Sequence, residues 1–159
     1  MKKIMGFVAA LALSAAIFSG CQSSKDITID VNALADDLKN SIEFVDTLSE
    51  SKDSAFFDIY EIDDTDIKVK KNYVGSATSE EITVIEAVDQ DAAKRVNEAV
   101  ELHLADYIDQ FQDYAPEQVP KLQNPVFMQK GKYVILCVSD DNDTAKETIE
   151  KYTNSATTG

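Results

Sequence analysis

The sequence predicts an α+β fold, a two-layer sandwich in which a mostly antiparallel four-stranded sheet is packed by a long amphipathic helix and flanking helices. Three observations carry this. Two pairs of β-branched or apolar runs are each joined by a turn-rich link, Ile67–Val74 to Glu81–Ala87 across Gly75–Ser79, and Val126–Gln129 to Tyr133–Ser139 across Lys130-Gly131-Lys132. Between these hairpins, Ala93, Val96, Val100, Leu104, Ile108 and Phe111 recur at intervals of three and four, the period of one helix face. Shorter amphipathic segments stand at both ends and need the apolar face of the sheet to cover theirs.

Taken in order, Asp30 is placed to cap a first helix through Val31, Leu34, Leu38 and Ile42. Phe44 to Leu48 reads as a short strand or a link. Ser51-Lys52-Asp53-Ser54 begins a second short helix carrying Ala55, Phe56, Ile59 and Tyr60, followed by the acidic stretch Glu61 to Asp66. The first hairpin follows, and Asp89 then opens the longest element. About 24 residues at ~1.5 Å each make it ~36 Å long, enough to cross a whole sheet. Pro116 stops it, and Pro120 and Pro125 come within ten residues. Pro125 suits the start of a strand, where its missing N–H is tolerated, and Gly131 suits a positive φ in the tight turn of the second hairpin. Ser139-Asp140-Asp141 caps a last helix with Ala145, Ile149 and Tyr152 on one face. The expected organisation is a leader over 1–20, a tether over 21–29, one globular domain over 30–152 and a polar tail over 153–159.

The leader is read from its three-part layout. Lys2 and Lys3 precede fifteen residues, Ile4 to Phe18, broken only by Gly6 and Ser14, and the run exits through small residues. It is shorter than the roughly 20 apolar residues a spanning helix requires. Phe18-Ser19-Gly20-Cys21 resembles the lipobox of bacterial lipoproteins. That resemblance implies cleavage between Gly20 and Cys21, with diacylglyceryl and fatty acyl (palmitate-type) groups on Cys21. A single chain holds a bilayer only marginally, whereas two or more anchor firmly. Gln22 to Asp26 then form a tether of about five residues, at most ~17 Å at ~3.4 Å each. The expected location is the extracytoplasmic face of a cell membrane, lipid-anchored, with membrane lipid as one partner.

Lys2 and Lys3 account for two of the 15 basic side chains, so residues 21–159 carry 13 against 29 acidic ones, a formal charge of −16. Such a chain repels nucleic acid phosphates and anionic lipid headgroups alike. Cys137 lies in the apolar run Tyr133 to Val138, with no second cysteine, histidine or basic residue close in sequence to activate it, and reads as a small buried hydrophobe.

No catalytic set is recognisable. His103, the only histidine, sits at the border of the long helix's apolar stripe without HExxH or a second histidine, so zinc would lack ligands, and a solvent or backbone partner is expected for it. No serine stands in a GxSxG setting and no glycine-rich turn precedes a helix to cradle phosphate. The acidic loops offer oxygen ligands in Asp63, Asp64 and Asp66, but an EF-hand frame opened at Asp64 puts Lys68 at its fifth position and Gly75 at its twelfth. Tyr107, Phe111 and Tyr114, beside Pro116 and Pro120, form a candidate aromatic binding end to the long helix, with packing over the sheet edge weighed above binding. No cofactor is expected.

Three segments carry a broader resemblance: Tyr73-Val74-Gly75-Ser76-Ala77-Thr78-Ser79-Glu80-Glu81, Gln112-Asp113-Tyr114-Ala115-Pro116-Glu117 and Lys130-Gly131-Lys132-Tyr133-Val134. Over about residues 30–152 the chain resembles an uncharacterised lipoprotein family of Clostridia-type Gram-positive bacteria, catalogued as a domain of unknown function. The resemblance implies a cell-surface lipoprotein and supplies no reaction or site residue. The expectation is a non-enzymatic binding or scaffolding domain in the cell envelope, working on an envelope protein or small ligand. The alternative is a cation- or solute-binding accessory of a transport or sensing system.

Overall fold

The computed structural model describes residues 27–154. The expected leader, Gly20, Cys21 and most of the tether lie outside them. In chain order the elements are α1 (Val31–Ser41), β1 (Ser49–Glu50), α2 (Asp53–Tyr60), β2 (Ile67–Val74), β3 (Glu81–Ala87), α3 (Gln90–Tyr114), α4 (Val119–Gln123), β4 (Val126–Lys130), β5 (Tyr133–Val138) and α5 (Asn142–Asn154). Single 3-10 turns at Asp64–Asp66 and Pro116–Gln118 precede β2 and α4. Among the described residues no helix is long and apolar enough to cross a membrane.

The class is mixed α+β, and both hairpins form, β2 with β3 and β4 with β5. The sheet has five strands rather than the expected four, in the antiparallel order β1-β2-β3-β5-β4. The additional strand is the two-residue β1, pairing Ser49 with Val74 and Glu50 with Tyr73 at the edge. A strand of that length has no sequence period to read, because its pairing depends on where the chain brings it beside β2.

The two-layer arrangement is also corrected, since the sheet is covered on both faces. On one face Ile85, Ala87, Val134, Leu136 and Val138 pack with Phe56 of α2, Val96 and Val100 of α3 and Leu122 of α4. On the other, Ile82, Val84, Ile135 and Cys137 pack with Leu34 and Leu38 of α1 and Ile149 of α5. Every residue of β3 and of β5 is buried. Successive side chains of a strand point to opposite faces, so full burial of two central strands requires two covering layers. Cys137 is fully enclosed, and burial pushes its thiol up to about 12.

The first and the longest helix start where expected. Asp30 accepts the Ala33 N–H at 3.0 Å and Asp89 that of Ala92 at 2.8 Å. Gly131 has φ +58° in the β4–β5 turn. Ile29 belongs to the core, and α5 runs through Thr153, which is buried, to Asn154. The expected tail beyond Asn154 lies outside the described residues.

Both ends of the described chain lie at one end of the sheet. Ile27 Cγ1 is 4.0 Å from where a β-carbon on Gly131 would stand, and Lys130 Nζ donates to the Thr153 carbonyl at 3.1 Å. The Ala87 N–H donates to the Lys132 carbonyl at 2.8 Å, which places the entry to α3 there as well. Helix α3 then runs the length of the sheet to the opposite end, where the Ser79 N–H donates to Gln118 Oε1 at 3.2 Å.

Candidate functional site

Alternation along β3 puts Glu81 and Thr83 on the same face as Ile85, among the residues packed by α2 and α3. Asn72 stands opposite Thr83 in the β2–β3 register. Tyr60 is the last residue of α2, and His103 lies midway along α3. Four elements thus deliver Tyr60, Asn72, Glu81, Thr83 and His103 to one interior point, and each of these residues is buried.

Glu81 is the centre. Its Oε2 lies 3.0 Å from His103 Nε2. Its Oε1 accepts from Asn72 Nδ2 at 2.9 Å, from Thr83 Oγ1 at 2.7 Å and from the Tyr60 hydroxyl. Tyr60 OH and Thr83 Oγ1 are themselves 2.8 Å apart. Burial drives the Glu81 carboxyl upward, but the hydrogen bond and charge of His103 and the Tyr60 and Thr83 hydroxyls outweigh it, so Glu81 is held below the ordinary 4.5. Tyr60 moves the other way, well above 10, through burial and then the adjacent Glu81 charge. Tyr107 is pushed up to about 12 for the same two reasons.

His103 therefore has the carboxylate partner that its place in the sequence did not reveal, and the expected solvent or backbone partner is corrected. The residue is 4% exposed, inside the stripe rather than at its border. It also sits in a run of aromatic rings with centroids 4.1 Å to Tyr60 and 4.2 Å to Tyr107, continuing from Tyr107 to Phe111 at 5.8 Å and from Phe111 to Tyr114 at 5.1 Å. Of the three candidate binding aromatics, Phe111 is core and Tyr107 is half-buried, while Tyr114 is 68% exposed.

A histidine–carboxylate pair can move protons, but a general base must come within about 2.6–3.2 Å of the proton it takes. Glu81 is 1% exposed, Tyr60 3% and His103 4%, and the four donors around Glu81 all belong to the fold. Chemically the arrangement holds one buried charge in place and joins α2 and α3 to the sheet.

A second polar group lies at the far end of the same sheet. Glu80, just before β3, accepts the N–H groups of Val45 and Asp46 at 3.1 and 2.9 Å and the ammonium of Lys121 at 3.0 Å. Lys121 also reaches Asp140 at 2.8 Å. Burial raises the Glu80 carboxyl, yet these donors hold it below its ordinary value. Asp46 Oδ2 in turn accepts the N–H groups of Ser76 and Ala77 at 2.6 and 2.7 Å. The link after α1, the β2–β3 turn and α4 are thereby fastened together.

Of the acidic loop residues, Asp63 accepts the Thr65 N–H and hydroxyl at 2.9 and 2.6 Å, and Asp66 grips Arg95 through two bonds of 2.8 and 2.5 Å. Asp64 is exposed. Two of the three candidate ligands are thus engaged inside the fold. Among the described residues, no group of three or more His, Cys, Asp or Glu side chains is arranged to hold a metal ion.

Sequence reasoning missed Glu80, Glu81 and Lys121. The available signal for Glu81 was its position in phase with Thr83 and Ile85 on a strand whose other phase, Ile82 and Val84, is also apolar. A strand buried on both faces carries such a glutamate inward. No curated protein and no solved structure matches the chain. The family model described as "Domain of unknown function (DUF4358)" matches residues 40–139, well over half of the chain, a span that holds Glu81 and His103 as well as Glu80 and Lys121. The chain belongs to the DUF4358 family, a domain whose function is unknown.

Proposed function

We propose that the protein is a lipid-anchored lipoprotein, held at the extracytoplasmic face of a cell membrane through Cys21, whose globular domain binds or scaffolds a component of the cell envelope without catalysing a reaction. The observation that carries the non-catalytic reading is the closure of the Glu81 cluster. The only histidine is spent on a buried carboxylate, and that carboxylate is saturated by Tyr60, Asn72 and Thr83. A group that must meet substrate is not ordinarily enclosed on every side. The anchoring reading is supported by Phe18-Ser19-Gly20-Cys21 at the end of the basic-then-apolar leader, and by a core that begins at Ile29, a few residues later.

The test has two arms. Replacement Cys21→Ala in cells that make the full chain is expected to abolish incorporation of labelled fatty acid and to shift the protein out of the membrane fraction as an unprocessed or released form. A Cys21→Ala protein that still matures and stays in the membrane would sink the anchor. In the second arm, cross-linking on intact cells is expected to capture an envelope component with Tyr114 or the Pro116–Gln118 turn in the contact. Turnover of an ester, peptide or glycoside that disappears in a folded His103 variant would instead establish an enzyme.

A further inference from the structure

The two ends of the sheet differ, and the difference bears on how the domain meets the membrane. We infer that the end holding the β4–β5 turn, with Gly131 and Lys132, lies against the bilayer, and that the end holding the Gly75–Ser79 turn and α4 points away from it. This rests on the lipid anchor at Cys21 proposed above. Five residues, Gln22 to Asp26, separate that cysteine from Ile27. Ile27 is packed on the core beside Gly131, so the tether leaves the domain at the β4–β5 turn and nowhere else. Fully extended it spans at most ~17 Å. Helix α3, with 25 residues, is ~37 Å long and runs from the tether end past the far end of β3, since His103, midway along it, already meets Glu81 at the first residue of β3. A tether half the length of the domain cannot bring the far end to the membrane unless the domain lies flat.

Charge opposes lying flat on α3. From Glu98 to Glu117 this helix and the turn after it carry Glu98, Glu101, Asp106, Asp109, Asp113 and Glu117, with no lysine or arginine among them. An anionic leaflet repels such a surface and attracts basic groups. At the tether end three of the acids are paired with basic side chains, while Asp64 stays exposed. Lys68 and Lys132 both close on Glu86, at 2.9 and 2.7 Å, Arg95 closes on Asp66 at 2.5 Å and Lys94 on Asp91 at 2.8 Å. Val88, between β3 and α3, adds an exposed apolar side chain there. The occupant of this end is the lipid surface itself. The α3 C-terminus, Tyr114 and the Glu80–Lys121 fastening face outward.

The experiment uses the acylated full chain reconstituted into vesicles of phosphatidylcholine and phosphatidylglycerol that carry a lipid-borne energy acceptor. One donor dye is attached through Gln129→Cys, near the β4–β5 turn, and in a separate protein through Gln123→Cys, at the end of α4; both positions are exposed. Cys137 is buried and stays unlabelled. Energy transfer to the membrane is expected to be at least about twofold greater for Gln129→Cys, the two positions being six residues apart and so at most ~20 Å from one another. Insertion of a flexible linker of about 20 residues after Asp26, reaching ~25 Å as a coil, should bring the two values together. Equal or reversed transfer on vesicles that carry the protein overturns the orientation and leaves the anchor standing. Failure of the acylated chain to float with the vesicles overturns the anchor, and the orientation with it.

Discussion

Glu81 carries a charge into a place where water does not follow, so the cost of removing any one of its donors depends on the charge left behind. His103→Ala is expected to destabilise the domain by about 3–5 kcal/mol, the range for breaking a buried pair from one side. Replacing both partners with apolar residues, Glu81→Leu with His103→Leu, removes the charge as well and should cost less than His103→Ala alone. Urea unfolding of the two variants side by side checks this, and a double variant weaker than the single one would mean that the pair itself stabilises the fold. At this scale the sequence was informative about types and silent about partners. His103 stood out as the only histidine, yet Glu81 lies 22 positions away and is one of 29 acids. Only the packing of α3 over β3 selects it. Cys137 was legible because every neighbour in its run is apolar, and an apolar run needs no partner to be read as core.

Among the elements, those with a period of their own were legible, namely α1, α2, α3, α5 and the paired strands of both hairpins. Those set by contact were not. Helix α4 contains Pro120 and follows Pro116, so the sequence there reads as a loop, but proline at the first positions of a helix gives up only an N–H that has no partner anyway. Lys121 on α4 fixes Glu80, and Glu80 fixes Val45 and Asp46. Lys121→Met is therefore expected to loosen the link after α1. Hydrogen exchange at the Val45 and Asp46 amides should accelerate at least about tenfold, corresponding to ~1.4 kcal/mol of lost protection, while amides in α1 keep theirs. A second test concerns the end of α2, where Glu61 sits at φ +51° in the left-handed region. Such a C-terminal position favours glycine. Glu61→Gly is expected to raise stability by about 0.5–1 kcal/mol, measured as a higher urea midpoint at unchanged slope.

For the molecule as a whole, the interior carboxylates set its response to acid. Glu80, Glu81, Glu86 and Asp66 are all held below their ordinary values despite burial, by the Asp46 and Val45 amides and then Lys121, by His103, by Lys132 and Lys68, and by Arg95 respectively. A carboxyl depressed in the folded state stabilises it above its unfolded pKa and loses that contribution as pH falls through the folded one. Stability should hold down to about pH 4.5, the ordinary glutamate value, and fall below it. Glu81→Gln should flatten that fall, and urea midpoints between pH 3 and pH 6 read both effects. The sequence by itself determined the mixed α+β class, the two hairpins and the long helix across the sheet. Each of these is written in neighbouring residues, through periods of two and 3.6 and turn residues. Tertiary structure alone decided the second covering layer, the short fifth strand, the Glu81–His103 pairing and the end of the sheet at which Ile27 packs. Each of those depends on which distant surfaces meet, and a carboxylate chooses its donors only after the helices and the sheet have closed around it.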